Sequence, residues 1–160
     1  MIKLCFVCLG NICRSPTAEG VMQHLINQAG LASEIEVDSA GTAAYHVGKR
    51  ADARSRKTAT DRGIELPSIA RQFVDSDFAR FDYVLAMDQD NYDDLLALCE
   101  TDSQRQRLAL LRSFDSESPP GASVPDPYYG GAEGFTEVFE ICQAACRGLL
   151  EHIKAEHGLA

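Results

Sequence analysis

The sequence predicts an α/β fold: one three-layer domain over residues 1–160, with a central four-stranded parallel sheet of order 2-1-3-4 flanked by helices on both faces. Three observations predict it. Short apolar runs of the kind buried in parallel strands alternate with longer stretches of helical spacing. The first of these runs leads straight into a tight polar turn and then a helix, the opening of a β-loop-α unit. The chain has 160 residues, no internal repeat and no linker, which suits one domain with a substantial core.

Residues 2–7, Ile-Lys-Leu-Cys-Phe-Val, read as the first strand. Residues 16–29 carry helical spacing through Ala18, Val21, Met22, Leu25 and Ile26 and stop before Gly30, with Pro16 suited to a first turn. A second strand falls at residues 35–38, followed by the turn-rich Ser39-Ala40-Gly41-Thr42 and a polar helix over residues 52–62 that Gly63 stops. The third strand is residues 83–87. Asp88, with Asn91 three positions on, is a good N-cap for a helix through Leu95, Leu96 and Leu98. A fourth strand fits residues 108–111. The last helix spans residues 133–157, with Phe135, Val138, Phe139, Ile141, Cys142, Ala145, Leu149 and Ile153 as its buried stripe.

Right-handed crossovers between parallel strands place ligands beyond the carboxyl ends of the strands, and the most informative residues of the chain lie there. Cys8 to Ser15 reads Cys-Leu-Gly-Asn-Ile-Cys-Arg-Ser. The five residues between Cys8 and Arg14 (Leu9, Gly10, Asn11, Ile12 and Cys13) are enough to bend the backbone into a cradle of inward N–H groups, which binds anions. Gly10 and Asn11 tolerate the left-handed angles such a bend requires. The amides, the helix start and a guanidinium all favour the Cys8 thiolate, a nucleophile, over the thiol. Arg14 offers two parallel charge-assisted bonds to an oxyanion, a fork that lysine lacks. Ser15 is placed to give its hydroxyl to the Cys8 sulfur.

Transfer of a phosphoryl group from an oxygen ester to Cys8 needs an acid for the leaving oxygen. Asp126 is the best candidate, fixed between Pro125 and Pro127 in Val124-Pro125-Asp126-Pro127-Tyr128-Tyr129. Tyr128 and Tyr129, with Tyr45 from the loop after the second strand, are candidate walls of a slot for a flat aromatic group, and His46 borders it. Such a slot admits phosphotyrosine and leaves phosphoserine short of the sulfur.

Lys and Arg total 15 against 24 Asp and Glu, a formal charge of −9 that argues against nucleic acid or an anionic membrane as partner. No apolar stretch approaches the ~20 residues of a membrane span, and the first strand is too short for a signal peptide, so the expected location is the cytoplasm. Six cysteines are present, and a domain of this size folds without disulfides, so most are expected to be reduced. Cys5, Cys8 and Cys13 lack zinc-site spacing, and no metal or other cofactor is expected. Cys5, Cys99, Cys142 and Cys146 read as buried small hydrophobes. His24, His152 and His157 read as solvated helix residues.

These residues resemble the low-molecular-weight protein tyrosine phosphatases over essentially the whole chain. The likeness runs through Val7 to Pro16, Asp38-Ser39-Ala40-Gly41-Thr42, Ala70-Arg71-Gln72, Phe81-Asp82-Tyr83 with Met87-Asp88, and Asp126-Pro127-Tyr128. Cys-x5-Arg alone occurs in unrelated phosphatases, whereas its N-terminal position combined with a late Asp-Pro-Tyr is specific. The resemblance implies Cys8 as nucleophile, Arg14 as phosphate clamp, Asp126 as proton donor and then base, and Asn11 holding the loop through Ser39. It also implies phosphotyrosine proteins and a cognate tyrosine kinase as partners, with a monomer or a weak dimer as the working unit. Two departures stand out. Ser68 replaces a histidine common two positions before Ala-Arg-Gln, and Tyr45 stands where many relatives carry tryptophan. In the family, a cysteine at the position of Cys13 can trap an oxidised Cys8 as a disulfide; the alternative is that Cys13 packs beneath the loop.

Two other functions share the loop. A thioredoxin-coupled arsenate reductase needs two further cysteines after the third strand, where this chain offers only Cys99. A non-catalytic phosphotyrosine-binding or redox-sensing module has no need of nucleophile, arginine and acid together.

Overall fold

The computed structural model describes residues 1–160, and its sheet has the expected order, β2-β1-β3-β4, with every pairing parallel. β1 (Ile2–Cys8) is central and hydrogen-bonded on both sides. It pairs with β2 (Ile35–Gly41) from Ile2↔Ile35 to Cys8↔Gly41 and with β3 (Tyr83–Ala86) from Leu4↔Tyr83 to Val7↔Ala86; β4 (Leu108–Leu110) closes the far edge against β3. Alternate residues of β1 enter opposite cores. Leu4, Phe6 and Cys8 join α1 (Arg14–Gln28) and α6 (Ala132–His157), while Cys5 and Val7 join Phe78 of α3 (Asp77–Arg80) and Leu95 of α4 (Gln89–Leu96). A strand apolar on both faces requires a helical layer on each side, which is the three-layer arrangement seen.

The ends of the elements shift for local reasons. α1 begins at Arg14, two residues before the expected Pro16, because first-turn N–H groups have no helical partner and proline loses nothing there. Asp52 caps α2 (Ala53–Thr60) by accepting the Arg54 N–H at 2.8 Å, and residues 61–63 form a turn in which Gly63 is left-handed (φ 76°). β2 runs through the stretch expected to turn, carrying Ser39 to Gly41 into the sheet. Asp88 caps α4 as expected, accepting the Asn91 N–H at 2.8 Å, but the helix ends before Leu98. α3, α5 (Asp102–Arg107) and the 3-10 turn Leu111–Phe114 were not expected, being too short to show a period.

α6 buries the expected stripe apart from Ile141, which is only partly buried, and adds Cys146 and Leu150. It lies hard against the 3-10 turn: a Cβ at Gly148 would overlap the Phe114 carbonyl oxygen. An ordinary helix-interior Gly→Ala change stabilises by up to ~1 kcal/mol. Here the sign reverses, and Gly148→Ala is expected to destabilise by about 1–3 kcal/mol as α6 is pushed off the turn. Urea unfolding of the two proteins measures the difference, and a neutral or stabilising alanine would rule out the close approach.

Candidate functional site: the loop after the first strand

β1 delivers Cys8 to the carboxyl edge of the sheet, and the chain then turns through Leu9 to Cys13 into α1. Asn11 makes the turn possible, as the one non-glycine residue of the chain in the left-handed region (φ 58°). Its backbone N–H points at the Cys8 Sγ, 3.3 Å away. Its side-chain amide is fully used: Nδ2 donates to Ser15 Oγ at 2.8 Å and to Ser39 Oγ at 3.0 Å, and Oδ1 accepts the Arg71 N–H at 3.1 Å. Ser15 Oγ lies 3.0 Å from the Cys8 Sγ and 3.4 Å from the Ala40 carbonyl, and the shorter contact is the one to sulfur. The sulfur therefore faces the Asn11 N–H and the Ser15 hydroxyl. The chain leaving β2 straps the loop, with the N–H groups of Thr42 and Ala43 donating to the carbonyls of Cys8 and Leu9 at 2.8 and 3.0 Å. Gly10 is not left-handed, contrary to expectation. A Cβ there would come within 2.8 Å of the His46 ring, so a larger residue would displace that side chain from the edge of the cavity.

Arg14 is buried, and its charge is held by neighbours. Nη1 donates to Asp88 Oδ2 at 2.5 Å and to the Val124 carbonyl at 3.1 Å, while Nη2 lies 3.8 Å from Asp126 Oδ2. Burial works against the charge, but Cys8, Asp88 and Asp126 outweigh it and hold the guanidinium more firmly protonated than a free arginine. Val124 in turn donates its N–H to the Met87 carbonyl at 2.7 Å, so the end of β3 positions the segment carrying Asp126. Asp126 is itself fixed by the Tyr128 N–H, which reaches Oδ1 at 3.0 Å.

These groups surround a cavity of about 140 Å³, with Cys8, Cys13 and Arg14 at the loop and Tyr45, His46, Asp126, Tyr128 and Tyr129 around it. The aromatic walls differ in footing. Tyr45 and Tyr129 are 75% and 93% exposed, whereas Tyr128 is half-buried against Tyr129, edge to face at 4.9 Å, and His46. The Arg54 guanidinium supports Tyr128 from below, 5.4 Å from its ring centre and 4.5 Å from that of Phe135, and is gripped by both Asp52 oxygens.

Cys13 packs with Ile12, Ala70 and Phe135, and burial, with Asp52 nearby, pushes its thiol up to about 12. Cys5, Cys142 and Cys146 are buried as expected, but Cys99 is only half-buried. His152 and His157 are exposed residues of α6, as expected; Nε2 of His157 also bonds the Tyr83 hydroxyl at 3.0 Å and Nε2 of His152 meets Glu156 at 2.9 Å. The Ser68 hydroxyl has no hydrogen-bond partner, so it takes no part in the network that supports the loop through Ser39 and Arg71.

Sequence reasoning missed four participants. Asp88 was legible only as a cap, yet one oxygen caps α4 while the other holds Arg14. Arg71 ties the Asn11 contact to Asp38 and Asp77, 3.1 and 3.0 Å from its guanidinium. Arg54 supports Tyr128. Gly41 lets β2 approach, since a Cβ there would meet the Leu9 carbonyl oxygen at 2.7 Å. Asp88, Arg71 and Gly41 lay within stretches that carry the family resemblance, whereas Arg54 carried no signal.

Residues 3–158 match the family model described as low molecular weight phosphotyrosine protein phosphatase. The low molecular weight protein-tyrosine-phosphatase of Streptomyces coelicolor is 44% identical over 155 residues, covering 96% of this chain and 94% of its own. The human low molecular weight phosphotyrosine protein phosphatase is 39% identical over 147 residues, covering 91% and 92%. Among solved structures, the protein tyrosine phosphatase of Entamoeba histolytica with Hepes in its active site superposes with a TM-score of 0.91 at 46% identity, covering all of both chains. Fold and relatives together define an enzyme of the phosphatase class, acting on phosphoproteins. The chain belongs to the low molecular weight protein tyrosine phosphatase family.

One titratable group lies just behind this network. Burial pushes the Glu19 carboxyl up to about 7, with Asp38 adding to the rise and Ser39 and Arg71 opposing it, and its Oε1 has no hydrogen-bond partner. Between its ordinary value of 4.5 and about 7, the folded protein keeps a proton that the unfolded chain releases. The stability this confers is complete below pH 4.5 and is lost as pH rises through 7, a loss of about 1–3 kcal/mol. Glu19→Gln should remove that part of the slope. Unfolding at pH 5 and pH 8 measures it, and an unchanged slope in the variant would clear Glu19 of the role.

Proposed function

We propose that this phosphatase hydrolyses phosphotyrosine, and small aryl phosphates, through a cysteinyl-phosphate intermediate. The observation that carries the reading is the convergence of the Cys8 sulfur, the Arg14 guanidinium and the Asp126 carboxyl on one small cavity. The Cys8 thiolate attacks phosphorus while the bond to the tyrosine oxygen breaks. Arg14 and the loop amides of Leu9 to Ser15 hold the phosphoryl oxygens. Protonated Asp126 gives its proton to the departing phenolate. Its carboxylate then takes a proton from water as that water attacks phosphorus, the P–S bond breaks, and phosphate leaves with the thiolate restored. Ser15 stabilises the thiolate before and after, and Asn11 with Ser39 keeps the loop in shape.

Tyr45, Tyr128 and Tyr129 set the depth that favours phosphotyrosine over phosphoserine. We assign the activity to residues 1–160 acting as one catalytic domain, working in the cytoplasm as a monomer opposite a tyrosine kinase, with neither nucleic acid nor membrane as partner. The charge of −9 supports the last point, and no helix is long and apolar enough to cross a membrane. Under peroxide, Cys8 is oxidised to a sulfenic acid and Cys13, on the same cavity, displaces water from it to close a disulfide. A thiol reopens it.

Cys8→Ser is expected to abolish turnover of both p-nitrophenyl phosphate and a phosphotyrosine peptide in EDTA and reductant. Asp126→Ala is expected to slow the peptide by roughly 10²–10⁴-fold and the nitrophenyl ester less, since p-nitrophenolate leaves without much help. Equal losses on the two substrates would remove Asp126 from the acid role, and full activity of Cys8→Ser would overturn the mechanism.

A further inference from the structure

The distribution of charge around the cavity is uneven. Residues 49–62 hold six of the fifteen basic residues and only two of the twenty-four acidic ones, a net +4 in a chain of −9. Within this stretch Arg54 pairs with Asp52 and Lys57 with Asp61. Lys49 and Arg50 are exposed and pair with no carboxylate. They are held rather than loose: Gly48 N–H donates to the Ala70 carbonyl at 2.9 Å, Ala70 N–H donates to the Lys49 carbonyl at 2.8 Å, and Arg50 bridges antiparallel to Ile69. That short ladder sets the two cations beside Val47 and Ile69, which are 55% and 53% exposed.

The patch adjoins the mouth of the cavity. Tyr45 and His46, just before it, line the cavity, and Asp52, just after it, gives its N–H to the Ile12 carbonyl of the loop at 2.7 Å. Residues 126–133, which meet the basic stretch where Tyr128 packs on Arg54, carry Asp126 and Glu133 and no Lys or Arg. A long polyanion would bring its charge against the acidic remainder of the surface, whereas a short acidic segment is small enough to lie on Lys49 and Arg50, exposed cations of this lip that pair with no carboxylate.

We propose that this lip docks an acidic polypeptide segment flanking the target phosphotyrosine, with Lys49 and Arg50 pairing with its Asp or Glu side chains and Val47 and Ile69 covering an adjoining apolar residue. The inference rests on the reading of the cavity as a phosphotyrosine site. Exposed ion pairs are individually weak and screened by salt, so the docking acts on selection and capture of substrate rather than on the chemical step.

The test compares three phosphotyrosine peptides, with Glu, Gln or Lys at the flanking positions, in the wild type and in K49E/R50E, with p-nitrophenyl phosphate as control. The wild type is expected to favour the Glu peptide over the Gln peptide in kcat/KM by roughly five- to tenfold at low salt, and the preference to shrink at high salt. K49E/R50E should lose or invert it while turning over p-nitrophenyl phosphate at the wild-type rate. Equal efficiency on Glu and Gln peptides in an enzyme that hydrolyses the control would overturn the docking surface and leave the active-site reading intact. A control that the wild type does not hydrolyse would overturn both. A preference for apolar flanks regardless of charge, or a concentration-dependent dimer abolished in K49E/R50E, would give the lip a different occupant and also overturn the proposal.

Discussion

The site depends on the left-handed conformation of Asn11. That conformation turns the backbone N–H towards the Cys8 sulfur and is unfavourable for most side chains, though asparagine tolerates it better than a branched residue. What fixes it is a side chain with no unused hydrogen-bonding group: two donors on Ser15 and Ser39, one acceptor on Arg71. The three partners come from α1, from β2 and from the segment before α3. The loop is therefore held in shape by the sheet and helices together. A valine here would be strained, and a glycine would reach the angle but lose all three bonds.

A second constraint organises the opposite side. Arg14 is buried, and a buried cation must be paired. Asp88 and the Val124 carbonyl both take Nη1, which ties α1 to the end of β3 and to the segment that presents Asp126. Asp88 also caps α4. The same carboxylate thus sets where a helix begins and which way the guanidinium points, and the acid at residue 126 is brought to the loop through that connection rather than by any contact of its own with β1.

The layout of strands and main helices was legible because each is carried by a repeating pattern: apolar runs at residues 2–7 and 83–87, a helical stripe from Phe135 to Ile153. The loop was legible because Cys8, Asn11, Arg14 and Ser15 lie within eight residues of one another. What escaped was contact between distant segments. Nothing near Asp88 in sequence says that it meets Arg14, and nothing near Gly41 says that β2 must pass a carbonyl of the loop. Gly10 was read as a conformational glycine when it is a steric one, because its neighbour, His46, is 36 residues away. α3 and α5, of four and six residues, are shorter than any window in which a period can be seen.

Burial does not distinguish Cys8 from the other cysteines. Cys8 and Cys13 are similarly buried, 3% and 4% exposed, and Cys5, Cys142 and Cys146 are fully so. For Cys5, Cys13, Cys142 and Cys146 removal from water dominates, and each thiol is pushed up, Cys13 and Cys142 to about 12. Cys8 differs in what it faces: the Asn11 N–H at 3.3 Å, the Ser15 hydroxyl at 3.0 Å and the Arg14 guanidinium on the same cavity. The same Arg14 charge also favours a thiolate at Cys142, yet there it is outweighed by burial and by the nearness of Cys8. What sets this one sulfur apart from the other five is the N–H aimed at it, and that contact exists because Asn11 turns the chain the wrong way for an ordinary residue.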